Sequence, residues 1–230
     1  MKNNWTYRFI ALCTLGIQLL SAQQITAEKI LQNVKANFDA VRDYTAQLTA
    51  RVNMERLRIP EMNVTIYFKQ PDKMHIESKN FAMLPREGFA LNPNDLLTKF
   101  DATLLGMEEM NGTKQYKLRL ISKPVRGRPA RESFIWIDPT RWVVTHVEST
   151  PAEGRKVSID VEYTTVKGKY ILPSSMKAQF DFEQNPDSLA ERIYSPNRVP
   201  RKGRMEIFYS NYKVNQGLSD EIFEKKKKEQ

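Results

Sequence analysis

Cysteine is nearly absent from this chain. Cys13 is the only one in 230 residues, and it lies in an N-terminal segment that we predict to be removed on export. Disulfides, thiolate metal sites and cysteine catalysis are therefore excluded from the mature protein. The two histidines, His75 and His146, are far apart, and neither has a second histidine at metal-ligand spacing. We expect no metal site.

The usual catalytic signatures are also missing. The sequence contains no nucleophile elbow, no glycine-rich phosphate loop and no calcium loop. Glu108 and Glu109 are adjacent, so on a strand their carboxylates would point to opposite faces and could not share a substrate. No nucleic-acid-binding motif is present either. We predict a protein that is not an enzyme, uses no cofactor and binds no nucleic acid.

Long apolar runs are absent after the N-terminus. Residues 1–22 have the features of a signal peptide: Lys2 and Arg8 supply positive charge, 9–20 form a short apolar stretch, and Ser21-Ala22 offers a cleavage site. The apolar stretch is too short to span a bilayer. We expect an exported, periplasmic protein, with residues 23–230 forming one domain and a monomer.

Acidic residues are outnumbered by basic ones. Cleavage near Ala22 would leave 34 of the 36 basic residues against 27 acidic ones, a net charge of +7. Part of this charge is concentrated in two loops, around 126–131 and 198–204, and in a basic C-terminal tail at about 219–230. Two interpretations remain open: solubility, or attraction to an anionic membrane surface or an acidic partner.

A two-residue alternation of apolar and polar side chains is what the chain has in abundance. It recurs from Met62 to Tyr209 and predicts about ten strands, each with one apolar face. Consecutive hairpins, including a tight one at Asn111-Gly112, favour an antiparallel sheet that must curl or close. The fold class is therefore mainly β with a few helices (α+β), and the apolar face of a curled sheet becomes a concave lining.

Two helices interrupt the alternation. Ala27 to Val41 has apolar residues at helical spacing, with Thr26 as a plausible N-cap. Asn92-Pro93 predicts the start of a short helix, and we place an apolar patch formed by Leu96, Leu97 and Phe100 on it. The first strand is predicted over 44–57. The two helices are the natural covers of the apolar face.

The order of these segments resembles the LolA-like outer-membrane lipoprotein-sorting proteins of bacterial envelopes. The resemblance covers most of the mature chain and rests on six stretches: AEKILQNVKANFDAVRDYTAQLTARV (27–52), VTIYFKQPDKMHIES (64–78), LLGMEEMNGTKQYKLRLISK (104–123), FIWIDPTRWVVTHVES (134–149), VEYTTVKGKYILPSSMKAQF (161–180) and IFYSNYKVNQGLSDEIFE (207–224). It implies an unclosed β-barrel with a helical lid over a hydrophobic cavity. It also implies transport of acylated lipoproteins or other lipids, without enzymatic turnover.

One position departs from the family pattern. The resemblance implies an arginine before the proline of the second-strand turn, where it helps to hold the lid. This chain has Gln70 there, an uncharged amide that can still donate hydrogen bonds. We therefore treat Gln70 as the lid-control position and expect lid control to differ.

Candidate ligand contacts are the apolar residues of the predicted strands. Methionine is frequent among them, and its flexible thioether suits surfaces that accept variable apolar ligands, although plain core filling gives the same pattern. Leu96, Leu97 and Phe100 are assigned to the lid. The predicted cavity lining comprises Val64, Ile66, Phe68, Met74, Ile76, Leu118, Leu120, Phe134, Trp136, Met176, Phe180 and Ile207.

The leading interpretation is thus a carrier of lipoprotein acyl chains or other lipids toward the outer membrane. An alternative of a different class uses the same fold as an envelope sensor or protein-interaction module. In that case the methionine and phenylalanine side chains pack as core, and the basic loops carry the function.

Overall fold

The computed structural model of the protein describes residues 25–54, 57–77, 92–124, 130–150, 155–182 and 202–224. The predicted signal peptide, most of both basic loops and the end of the basic tail lie outside these residues. The elements in chain order are α1 (Ala27–Asp39), β1 (Asp43–Met54), β2 (Leu57–Arg58), β3 (Met62–Lys69), β4 (Lys73–Glu77), α2 (Pro93–Lys99), β5 (Phe100–Met110), β6 (Thr113–Ser122), β7 (Glu132–Asp138), β8 (Val143–Ser149), β9 (Arg155–Val166), β10 (Tyr170–Phe182), β11 (Lys202–Val214) and α3 (Glu221–Glu224).

Ten strands form one antiparallel sheet that does not close into a barrel. Their order is β4-β3-β1-β11-β10-β9-β8-β7-β6-β5, and the two-residue β2 pairs with β1 outside this path. Apart from the β1–β11 and β1–β3 pairs, neighbours in the sheet are also neighbours along the chain. The predicted α+β class and antiparallel architecture are confirmed.

Turn chemistry explains why the hairpins form where they do. Asn111 and Gly112 have φ of 51° and 76°, the left-handed values that a tight hairpin between β5 and β6 requires. Lys167 and Gly168, at 50° and 70°, make the equivalent turn between β9 and β10. The tight turn predicted at Asn111-Gly112 is confirmed.

Strand register separates the sheet into two faces. On the face that α1 and α2 cover, which we call the covered face, apolar residues meet across neighbouring strands: Ala46 pairs with Ile66, and Met176 with Ile207. Ile66 and Ile207 are fully buried there. The covered face therefore carries the core, as its alternating sequence pattern predicts.

The helix α1 attaches to this face through its apolar side. Thr26 caps it by accepting a hydrogen bond from the Lys29 backbone N–H at 3.2 Å. Ile30, Leu31 and Val34 are buried in one core cluster with residues of β6, β7 and β8. Towards the end of α1, the Phe38 ring lies 5.5 Å from the Phe68 ring in a second cluster. The helix thus bridges both halves of the core.

Three predicted boundaries are wrong. The helix α1 ends at Asp39 rather than at Val41. The first strand ends at Met54 rather than at residue 57, and Leu57 lies in the separate strand β2, which pairs back on β1. Phe100 is not on the short helix, because α2 ends at Lys99 and Phe100 begins β5 in extended conformation. The helical start at Asn92-Pro93 is confirmed, with the Asn92 side chain accepting from the Asn94 backbone N–H at 3.0 Å.

Candidate functional site

An apolar cavity lies between α1 and the covered face. Its volume is about 110 Å³. Val34 and Phe38 of α1 form one wall, and side chains of β9 and β10 form the opposite wall. The full lining is Val34, Asn37, Phe38, Val41, Tyr44, Pro93, Trp142, Val143, Val144, Ile159, Val161, Tyr163, Ile171, Leu172, Pro173, Met176 and Tyr209.

The lining also contains polar side chains, namely the amide of Asn37, the indole of Trp142 and three tyrosines, and none of them is charged. Burial raises the pKa of Tyr44, Tyr163 and Tyr209 above the usual value for a phenol, so no charge forms in the cavity at physiological pH. The Tyr163 hydroxyl donates to the Val144 carbonyl oxygen at 2.7 Å. The cavity therefore offers apolar contact and no ionised group.

Hydrogen bonds hold the C-terminal end of α1 to the sheet. The Gln70 side-chain amide donates to the carbonyl oxygens of Phe38 and Val41, both at 3.3 Å. The Asn215 amide donates to the Ala40 carbonyl at 3.1 Å, and its oxygen accepts from the Arg42 backbone N–H at 2.7 Å. The last carbonyls of a helix lack intrahelical partners, and these side chains supply them.

Further hydrogen bonds join the start of β1 to the chain that follows β11. Asp43, which is buried, accepts hydrogen bonds from the backbone N–H groups of Gln216 (2.8 Å) and Gly217 (3.0 Å). Further on, Asp220 pairs with Lys69 at 2.6 Å and with Lys73 at 3.1 Å. Hydrogen bonds from these two lysines hold the pKa of the Asp220 carboxyl below its ordinary value.

Ten of the twelve predicted lining residues lie on the covered face, but few reach the cavity. Val64, Ile66 and Phe68 of β3 are buried in the core, with Met74 and Ile76 of β4 packed against them. Leu118, Leu120 and Ile207 are buried core residues, and Phe180 packs against the core. Of the ten, Met176 alone also lines the cavity.

Phe134 and Trp136 lie on the opposite face, so their assignment to the same apolar face is wrong. Leu118 pairs with Ile135 and Lys117 pairs with Trp136, which places the two sets on different sides of β7. Trp136 is nevertheless buried. The Lys117 ammonium lies 4.7 Å from the centre of the Trp136 ring, and the His146 ring lies 4.9 Å from it, edge-on.

The predicted lid residues lie on the α1 side of the core. Leu96 is buried in the cluster that holds Ile30 and Leu31, while Leu97 and Phe100 are half-buried against it. Within the described part of the chain, α2 contributes Pro93 to the cavity wall. The Asn92 side chain donates to the Pro71 carbonyl at 3.0 Å and so links α2 to the turn that carries Gln70.

Sequence reasoning missed most of the cavity. Val34 and Phe38 of α1 and Val161 of β9 line the cavity, but none of them is among the predicted lining residues. The alternation Ile159–Val161–Tyr163 could have identified the β9 wall. Nothing in the pattern marks Trp142, which lies in a turn with φ of 52° and stacks on Tyr116 at 6.0 Å.

A second, wider recess of about 940 Å³ lies at one end of the sheet. It involves the end of β8, the beginning of β11 and both Phe134 and Phe180. Glu148, Lys202 and Arg204 also line it, so its wall mixes both charge signs with apolar groups. The cavity under α1 is therefore the better candidate site for an apolar ligand.

No sequence family and no curated protein sequence matches this chain, but several solved structures share its fold. A DUF1329 family protein from Desulfovibrio piger has a TM-score of 0.60 at 13% identity, with 86% of this chain and 95% of that chain covered. A LolA superfamily protein from Nitrosomonas europaea has a TM-score of 0.58 at 12% identity, with 86% of this chain and 97% of that chain covered. An outer-membrane lipoprotein-sorting protein domain from Vibrio parahaemolyticus has a TM-score of 0.57 at 15% identity, with 86% of this chain and 96% of that chain covered.

These similarities establish that the chain has a LolA-like fold. None of the helices in the described ranges is long and apolar enough to cross a membrane.

Proposed function

We propose that this protein is a non-enzymatic carrier that binds the acyl chains of lipoproteins or other lipids under α1 and transfers them across the periplasm toward the outer membrane. The observation that carries the proposal is the apolar cavity between α1 and the covered face. A LolA-like fold and a lipoprotein-sorting structural neighbour support it. Binding of this kind needs apolar walls, a cover and a route of entry, and no catalytic group.

The size of the cavity sets a requirement on the mechanism. At about 110 Å³, it is smaller than the engineered cavity of about 150 Å³ that accepts one benzene molecule. A long acyl chain therefore fits only if α1 moves away from the sheet. In the structure, α1 lies closed against the sheet.

The contacts of α1 indicate how it moves. Its N-terminal half contacts the sheet through apolar side chains such as Ile30 and Leu31, whereas its C-terminal end is tied by the directional hydrogen bonds of Gln70 and Asn215. Apolar contacts can be replaced by a lipid chain, but the hydrogen bonds cannot. Because Val34, Phe38 and Val41 line the cavity, we infer that opening it breaks the hydrogen bonds at the C-terminal end of α1, with Gln70 as the lid-control residue.

The energetics suit reversible carriage. Each buried methylene contributes about 0.8 kcal/mol, so about ten of them contribute about 8 kcal/mol. Association itself costs about 4–15 kcal/mol. One chain therefore binds weakly and two or three bind tightly, and a cargo with several chains is favoured.

The proposal is tested by extracting the protein, purified from its native compartment without detergent, with organic solvent. We expect mass spectrometry to find acyl lipids or a lipidated peptide in the extract at a substantial fraction of the protein concentration. An extract without lipid, together with no binding of a fluorescent fatty-acid analogue by the purified protein, contradicts the carrier function and favours the sensor or interaction module.

A further inference from the structure

Three basic residues lie on chain segments that also contribute to the wall of the cavity. Arg42 directly follows Val41, and Lys167 and Lys169 precede Ile171 at the β9–β10 turn; both Val41 and Ile171 line the cavity. All three basic residues are exposed. We call Arg42, Lys167 and Lys169 the basic rim.

Contacts with the shared neighbours Val214, Asn215 and Tyr170 bring the members of the basic rim to one place in the fold. The Lys167 ammonium donates to the Val214 carbonyl at 3.1 Å, and the next residue, Asn215, accepts from the Arg42 backbone N–H at 2.7 Å. The same Asn215 amide donates to the Tyr170 hydroxyl at 3.1 Å. The Lys169 ammonium lies 4.8 Å from the centre of the Tyr170 ring. The rim is therefore one local assembly around Asn215 and Tyr170.

The positive charge of this assembly is not neutralised within the described residues. None of the three basic rim side chains forms an ion pair there. The two neighbouring carboxylates are already engaged: Asp39 pairs with Lys35, and Asp43 accepts from the backbone of Gln216 and Gly217. Elsewhere, exposed cations such as Arg119 and Arg51 do have carboxylate partners.

Tyr170 adds a neutral donor to the cations. Hydrogen bonds from Lys169 and then Asn215 lower the pKa of its phenol. Because the hydroxyl oxygen accepts from the Asn215 amide, its own proton remains available to an external acceptor. Ammonium, guanidinium and phenol donors on these adjoining segments are the types of group that bind a phosphate oxyanion, and an arginine can add a bidentate fork.

We propose that the basic rim binds the phosphate of an anionic lipid headgroup while the acyl chain of the same lipid occupies the cavity under α1. This inference rests on the proposed carrier function and specifies its substrate class. The chemistry of a free phosphate ion is the same, but only a lipid gains from the adjoining apolar wall at Ile171 and Leu172. A phosphate-bearing lipid is thus preferred over a neutral lipid with the same chain.

The test compares two ligands that differ only in the phosphate: lauroyl lysophosphatidate and monolauroylglycerol, each kept below its micellar concentration. Binding to the mature protein is followed by calorimetry, with inorganic phosphate alone as a third titrant. We expect the phosphate-bearing lipid to bind about tenfold more tightly than the neutral lipid, as charge-assisted hydrogen bonds allow. We expect inorganic phosphate to bind far more weakly than either.

The variant carrying Arg42→Gln, Lys167→Gln and Lys169→Gln is expected to lose this preference while binding monolauroylglycerol as the wild type does, which also shows that it is folded. A matched control removes three exposed charges outside the rim, with Lys114→Gln, Lys123→Gln and Arg131→Gln. It should keep the preference.

Three results overturn the inference. The first is equal affinity of the wild type for the two lipids, which leaves the carrier function intact. The second is any result in which the rim variant and the control variant behave alike, so that both lose the preference for the phosphate-bearing lipid or both keep it. The third is binding of inorganic phosphate as tight as that of the lipid. Failure of both lipids to bind at all contradicts the carrier function itself.

Discussion

Ile171→Trp is expected to weaken the binding of monolauroylglycerol by at least about tenfold while the protein stays folded. Ile171 is half-buried on β10 and lines the cavity under α1. An indole there occupies space that a lipid chain would need, in a cavity of only about 110 Å³. Excluding two or three methylenes at about 0.8 kcal/mol each accounts for the loss in affinity.

The matched control is Ile121→Trp. Ile121 is also half-buried on a strand, but it follows Leu120 of the core and therefore points to the opposite face of the sheet. Both substitutions carry a similar overpacking cost of about 1–3 kcal/mol, so thermal unfolding should shift comparably in the two variants. Equal loss of lipid binding in both would show that the ligand does not depend on this cavity.

Gln70→Ala is expected to accelerate opening of α1 about tenfold. The substitution removes the two hydrogen bonds that the Gln70 amide donates to Phe38 and Val41. At about 0.5–1 kcal/mol for each bond, the closed form loses about 1–2 kcal/mol. Hydrogen exchange of the α1 backbone amides measures the effect, and lipid release should quicken in parallel.

Gln70→Arg serves as the comparison for that variant. A guanidinium can donate to the same two carbonyls and carries a charge that favours the C-terminal end of a helix. We expect slow exchange in α1 to be retained or strengthened. If Gln70→Ala leaves exchange in α1 unchanged, the C-terminal tie does not control the lid.

The overall architecture was predictable from the sequence because each strand shows its own alternation of apolar and polar residues and turn residues mark where strands end. Alternation at 62–68 gives β3 its buried face, and the glycine at 112 permits the left-handed turn between β5 and β6. The alternation also predicts which residues of one strand share a face. It therefore identified Ile66 and Ile207 as covered-face residues without any knowledge of their partners.

The cavity itself was not predictable in this way. Whether an apolar residue fills the core or borders an empty space depends on how α1 sits on the sheet, and the pattern contains no such information. Phe134 and Trp136 show a second limit. Every residue from Phe134 to Ile137 is apolar, so the alternation is lost and the face of each residue is set only by its pairing with β6.

The central claim, that a lipid chain lies between α1 and the covered face, is tested most directly by photo-crosslinking. The mature protein is irradiated with a laurate analogue that carries a diazirine at its chain end, and the modified residues are located by mass spectrometry. We predict adducts on the cavity wall, at Val34, Val161, Ile171 or their neighbours, suppressed by excess monolauroylglycerol. Adducts that concentrate instead at Phe134 and Trp136 on the opposite face, or that excess lipid does not suppress, would contradict the claim.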